Sequence, residues 1–433
     1  MAVDEYLTRS RSSPLDISLF YMTLGASAPP PYFVTKVNTI VQKVLAHSHR
    51  WREVLFDIPA ESVQTVFSQL ASDVPRLTSM IVVESSSVHR KHTLRINLSS
   101  AHHLERLYIF TPTDVNWGNT IMDRMRDINV TPTSLSSFLQ CIDKCPSVIS
   151  VEFCTDIRTL SVPLAKIYTR RLSSLVKCRL VDLDQDLFSG LLDSLHLPAL
   201  KQLDLSTKRR LRDSSSFVRF INRSQPPLEI LSIIICGMPT ADLLDCLHNI
   251  PRLTVLRTNI THFSDVTIQR FLTPSSTHGR SLCPNLMSLW LIGGSERACQ
   301  NAAELVVHRW HNASGGADRI RHVWISDSEK DSFLDCDGIT ECGEEGFEIS
   351  SKDDSWTEYC GSFEIAVFIY LFFNFNPCYY RADRSVEKYL NPIYRDRIAI
   401  TTTMYSTMMT RTLQDSGIRF PISLLAVYEY LFF

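Results

Sequence analysis

Apolar positions recur along this chain in one short phrase, apolar-x-x-apolar-x-apolar. In "LPALKQLDLS" they stand at Leu200, Leu203 and Leu205, and the phrase returns as "PPLEILSII" from Pro226 and "PRLTVLRTN" from Pro251. Ten copies can be followed: Trp51/Val54/Phe56, Leu77/Met80/Val82, Leu104/Leu107/Ile109, Val148/Val151/Phe153, Leu175/Cys178/Leu180, Leu200/Leu203/Leu205, Leu228/Leu231/Ile233, Leu253/Leu256/Thr258, Leu286/Leu289/Leu291 and Ile320/Val323/Ile325. The last two apolar residues of each copy are two apart, so on a strand they point to the same side while their neighbours point away. Between the copies the spacing turns helical. Leu135, Phe138, Leu139 and Ile142 share one face, as do Leu187, Leu191, Leu192 and Leu195, and Leu243, Leu244 and Leu247. Six copies carry a proline two residues ahead. Proline cannot continue a helix and biases the residue before it toward extended backbone. The unit is therefore helix, proline break and strand.

Successive copies start 26, 27, 44, 27, 25, 28, 25, 33 and 34 residues apart. Most of these gaps lie near the roughly 20–29 residues of a leucine-rich repeat. The 44-residue gap requires an insertion or an unseen turn, and "PLDISLFY" from Pro14 is a candidate first strand. A chance scatter of such phrases in an ordinary α/β domain explains one copy, not ten with six prolines in register. No unit can bury its apolar face alone, and stacking makes one continuous core. The predicted fold is thus α/β: an irregular leucine-rich-repeat solenoid over residues 1–350, about ten or eleven turns, with a curved parallel sheet on the concave face and helices on the convex face. Irregularity is expected because repeat lengths wander and the Asn/Cys ladder position after the strand is filled only at Cys236. Residues 351–433 lack the phrase and are rich in Phe and Tyr. They read as a capping element, a second small unit, or a mispredicted coding end.

Composition narrows the function classes. The 433 residues carry a formal net charge of -2, so no global field points to nucleic acid or anionic lipid. The longest apolar run, "IAVFIYLFFNF", is eleven residues with Asn374 inside, about half of the ~20 needed to span a bilayer. No membrane span is expected. The start, "MAVDEYLTRS", has no apolar signal-peptide core. Twelve cysteines without CxxC spacing then read as reduced thiols in a cytoplasmic or nuclear protein.

GxGxxG, P-loop, HExxH and GxSxG are all missing, so no enzyme and no cofactor is expected. His47/His49 and His102/His103 have no cysteine or carboxylate nearby to complete a metal set. In "FLDCDGITECGE", Asp335, Asp337, Gly338 and Glu344 match EF-hand positions 3, 5, 6 and 12. Position 1, however, is Phe333, which cannot ligate, and no flanking helix pair is expected. Asp327 to Glu358 carries twelve acids against two lysines and reads as an acidic solvated linker. "KRRLR", Lys208 to Arg212, reads as solvated loop charge, with nuclear import or phosphate binding as the alternative.

The residue between the last two apolar positions of each phrase faces the concave side. That row is Leu55, Ile81, Tyr108, Glu152, Arg179, Asp204, Ser232, Arg257, Trp290 and Trp324. Tryptophan, tyrosine and arginine dominate interface energetics. Trp290, Trp324, Arg257, Arg179 and Tyr108 are therefore the candidate contacts for a partner protein. The alternative is that the aromatic tail, or a slip in register, covers the two tryptophans.

"YLTRSRSSPLDISLF", "VQKVLAHSHRWREVLFDIP" and the "PRL..L" strands resemble the leucine-rich regions of fungal F-box proteins, over roughly residues 5–350. "ITECGEEGFEIS", Ile339 to Ser350, is similar to the helix and strand that often close that array. The resemblance implies the substrate-recognition part of a cullin-type ubiquitin ligase. No F-box is visible before Tyr6, so the chain is expected to recognise a partner without taking up a Skp-type adaptor. A stand-alone leucine-rich-repeat scaffold unrelated to ubiquitination, or a truncated non-functional gene product, is the alternative.

Overall fold

Each of the ten phrases becomes one strand of a single parallel sheet in the computed structural model. The structure describes residues 2–20, 31–69, 74–84, 93–154, 169–181, 185–207, 214–235, 238–272, 282–293, 295–312 and 319–351. The helices are α1 (Ala2–Arg9), α2 (Pro31–Leu45), α3 (Ala60–Gln69), α4 (Leu135–Lys144), α5 (Gln185–Ser194), α6 (Ser215–Ser224), α7 (Thr240–His248), α8 (Asp265–Leu272), α9 (Glu296–Asn312), α10 (Asp327–Leu334) and α11 (Ile339–Glu344). The strands are β1 (Leu15–Phe20), β2 (Trp51–Ile58), β3 (Ser79–Glu84), β4 (Leu94–Asn97), β5 (Arg106–Asn116), β6 (Asp127–Pro132), β7 (Ser150–Cys154), β8 (Arg170–Arg171), β9 (Lys177–Val181), β10 (Leu195–His196), β11 (Gln202–Thr207), β12 (Ile230–Ile235), β13 (Val255–Asn259), β14 (Ser288–Ile292), β15 (His322–Ile325) and β16 (Glu348–Ser351). The chain divides into two compact units; α1 belongs to one, and Pro14–Tyr21 with Ala28–Ala366 form the other, which holds the sheet.

The main sheet runs β1-β2-β3-β5-β6-β7-β9-β11-β12-β13-β14-β15-β16, with β4 beside the far half of β5. β8 and β10 pair separately. Strand order follows chain order, and every pairing is parallel. Because parallel crossovers are right-handed, a sheet built always in one direction puts its helices on one face. Consecutive helices accordingly pack on one another, α5 on α6, α6 on α7, α7 on α8, α8 on α9 and α9 on α10. All thirty phrase positions are at most 2 % exposed, so the core lies between the sheet and this helix layer. The helical faces read from sequence also turn inward, with Leu135, Phe138, Leu139, Ile142, Leu243, Leu244 and Leu247 all buried. Leu195 differs. It is buried but belongs to β10, after α5 has ended, and the side chain of Leu187 lies outside the described residues.

The 44-residue gap holds a full strand. Met125, Ile128 and Val130 form an eleventh copy of the phrase, all buried, and β6 pairs with β5 on one side and β7 on the other. The copy was hard to see because methionine opens it and no proline leads it. β16 adds a further strand after β15.

The prolines have a more local task than ending helices. In five copies the carbonyl of the residue before the proline accepts the N–H three residues on: Val74 from Leu77, Cys145 from Val148, Leu197 from Leu200, Ile250 from Leu253 and Cys283 from Leu286, at 3.1–3.4 Å. Proline thus occupies the second place of a four-residue turn, where its fixed φ is already correct. Ala101–Leu104 and Met122–Met125 make the same turn without it. One residue then precedes each strand, and its carbonyl accepts two N–H groups from the next unit. Lys201 O takes Glu229 N at 2.8 Å and Ile230 N at 3.0 Å, and Glu229 O takes Thr254 N and Val255 N at 2.8 and 3.0 Å. The same three-centre junction recurs at Thr78, Glu105, Arg126, Ile149, Val176, Thr254 and Met287.

The acidic segment after β15 is folded rather than a linker over its described part, Asp327 to Ser351. Phe333, Ile339, Cys342 and Phe347 are buried, and those apolar anchors place α10 and α11 on either side of Asp335 to Gly338. Gly338 makes the turn at φ +83, where a Cβ would meet Val307 Cγ1 at 3.0 Å. A helix pair therefore does flank the calcium-like stretch, but Glu344 belongs to α11 and Phe333 to the core, so no twelve-residue loop forms. Among the described residues no group of three His, Cys, Asp or Glu could hold a metal ion, and no helix is long and apolar enough to cross a membrane. Cys236, Lys208–Arg212, Ile365–Phe375 and the rest of 352–433 lie outside the described residues.

Candidate protein-recognition surface

The face of the sheet opposite the phrase residues carries one unbroken row of register partners. It runs Ser18, Leu55, Ile81, Tyr108, Asn129, Glu152, Arg179, Asp204, Ser232, Arg257, Trp290, Trp324 and Ser350. The ten residues read from the sequence are all in it, each beside its expected neighbour except where Asn129 of β6 comes between Tyr108 and Glu152. A slip in register is therefore not what places the tryptophans.

Side chains in such a row are one strand spacing apart, ~4.8 Å, and meet their neighbours directly. Its centre is charged. Arg179 Nη1 lies 3.2 Å from Glu152 Oε1, and Arg257 Nη1 lies 3.8 Å from Asp204 Oδ1 across Ser232. Gln202 Nε2 donates to Asp204 Oδ2 at 2.9 Å. Burial pushes the Glu152 carboxyl above its ordinary range, against the pull of Arg179 and Lys177. The Tyr108 hydroxyl is pushed up by burial and then by Asp127. Burial pulls the Arg257 guanidinium down to about 10, with Asp204 opposing, so it remains a cation at neutral pH.

Beyond the charges the row turns aromatic. The Arg257 guanidinium lies 4.2 Å from the Trp290 ring centre, and Trp290 and Trp324 stand 4.7 Å apart with a 33° tilt. His322, two residues before Trp324 on the same strand and face, lies 5.7 Å from it, and its Nδ1 is 2.8 Å from Glu348 Oε2. Contacts thus pass from Arg257 through both indoles to His322 and Glu348. Both indoles are half-buried, each partly shielded by the other.

The five candidates separate by place. Trp290 and Trp324 meet each other and remain partly exposed. Arg179 pairs with Glu152, and Tyr108 stands three register steps from Arg179 on the same row. Arg257, expected at the surface, is 7 % exposed, held between Asp204 and the Trp290 ring. Three participants were missed. His322 was accessible from Trp324 by the two-residue strand period. Asn129 required recognition of β6, and Glu348 required the pairing of β16 with β15.

Cys141, Cys178 and Cys283 are buried. Burial pushes Cys178, directly beneath the charged row, up to about 12, and Cys141 and Cys283 to similar values; a neutral thiol is a poor nucleophile. No protein-family model matches the chain, and no curated protein shows significant similarity to it.

Proposed function

We propose that the chain is a leucine-rich-repeat solenoid that recognises another protein on the helix-free face of its sheet. The carrying observation is the in-register row, with Trp290 and Trp324 in ring contact and partly exposed at one end. Repetition of the phrase, the turn and the three-centre junction supports the solenoid reading, since stacked equivalent units share one core. The residue types support recognition rather than catalysis: Trp, Tyr and Arg are the usual anchors of binding energy. The row's charged side chains are paired with one another, and no nucleophile with a base stands among them. The resemblance to the leucine-rich part of fungal F-box proteins suggests, as the biological setting, substrate recognition for a ubiquitin ligase; a scaffold unrelated to ubiquitin uses the same surface.

Trp290→Ser with Trp324→Ser is the direct test, with melting and binding read on one preparation. Loss of two aromatic anchors, each about 2 kcal/mol or more, should reduce affinity for peptides selected on the parent chain by at least ~30-fold, with melting little changed. A double variant that melts several degrees early while binding persists would make the tryptophans structural and overturn the proposal.

A further inference from the structure

The stack on this face stops one place short of the sheet edge. Arg257, Trp290 and Trp324 follow one another at 4.2 and 4.7 Å, close to the ~4.8 Å between paired strands. The next register position is Ser350 of β16, whose short side chain fills little of it. β16 ends the strand path, with β15 as its partner among the described strands. The place above Ser350 is thus walled by Trp324 and rimmed by Glu348, two residues earlier on the same face, whose side chain is 69 % exposed.

The chemistry of wall and rim selects a ligand. An indole face attracts a cation, and a guanidinium can stack on it while presenting a donor fork to a carboxylate. The row already contains one such pairing, Arg257 on Trp290. The segment that leads into β16 is acidic as well: Asp327 to Glu348 carries nine acidic residues against Lys330. From these we infer that the place above Ser350 receives an arginine of a basic partner segment, stacked on Trp324 with its guanidinium on Glu348. The inference rests on the reading of this face as a protein-recognition surface.

Selection of random displayed peptides on the full chain, followed by calorimetric titration of a synthetic enriched peptide, tests it. The expected peptides carry an arginine whose replacement by neutral, isosteric citrulline weakens binding at least ~tenfold, about 1.4 kcal/mol. Glu348→Gln should weaken the parent peptide to a similar degree, and Ser350→Trp, which fills the place at the sheet edge, should abolish its binding with melting unchanged. Peptides that lack arginine or tolerate citrulline, yet are lost in the Trp290→Ser/Trp324→Ser variant, would overturn the arginine inference and leave the recognition surface standing. Failure to enrich any peptide, or binding indifferent to both tryptophans, would overturn both.

Discussion

At the scale of single residues, the face is shaped by what burial does to charge. Glu152 is held between Asn129 and Arg179 on adjacent strands, and desolvation outweighs the attraction of its ion pair. An unfolded glutamate titrates near ~4.3, and the folded one titrates higher. Through that window the folded state binds more protons than the unfolded state, so this group makes stability fall as pH rises. Melting followed from about pH 4.3 upward should therefore decline less steeply in Glu152→Gln than in the parent. Equal slopes would show that Arg179 fully offsets the burial. The core obeys simpler terms. Leu203 and Leu231 are register partners with no exposed surface. Changing either to Ala should cost about 2–5 kcal/mol through the cavity left behind, and denaturant midpoints matching the parent would contradict the assigned strand faces.

At the scale of elements, much was legible because local chemistry and tertiary role agree. The two-residue strand period placed Leu203, Leu205, Leu231 and Ile233 on the core face, and the in-between residues on the other. The proline signal was read correctly as a boundary but for an incomplete reason; its place inside a hydrogen-bonded turn depends on a carbonyl that sequence does not display. Elements built from weaker signals were missed. The copy of the phrase at β6 opens with methionine two residues before the strand, and α10 and α11 hide three apolar anchors, Phe333, Ile339 and Cys342, among many acids. Also invisible were the long-range polar contacts that join neighbouring units. Arg309 of α9 donates through Nη1 to Cys283 O at 3.0 Å and through Nη2 to Leu282 O, serving a turn whose Cys283 has φ +47. Arg223 of α6 donates likewise to Leu192 O and Leu195 O at the end of α5. Arg309→Met keeps much of the side-chain volume but removes both guanidinium bonds, leaving Cys283 O with the Leu286 N–H alone. It should cost about 1.5–3 kcal/mol, seen as a shifted midpoint in urea with an unchanged slope; no shift would mean that water replaces the guanidinium.

At the scale of the whole sheet, the row follows from repetition. Each unit buries its phrase against the helix layer, and so each must also present one residue on the opposite face, beside the next unit's. The register that secures the core therefore also assembles the row, and Trp290 and Trp324 are neighbours because Leu289 pairs with Val323 and Leu291 with Ile325. The central claim is that this face, rather than the helix layer, meets the partner. Hydroxyl-radical footprinting by mass spectrometry, on the full chain free and with a display-selected peptide, measures it directly. The account predicts protection of Trp290, Trp324 and His322, with exposed Val266 and Leu334 of the helix layer unchanged. Protection of Val266 or Leu334 with both tryptophans unaffected would contradict it.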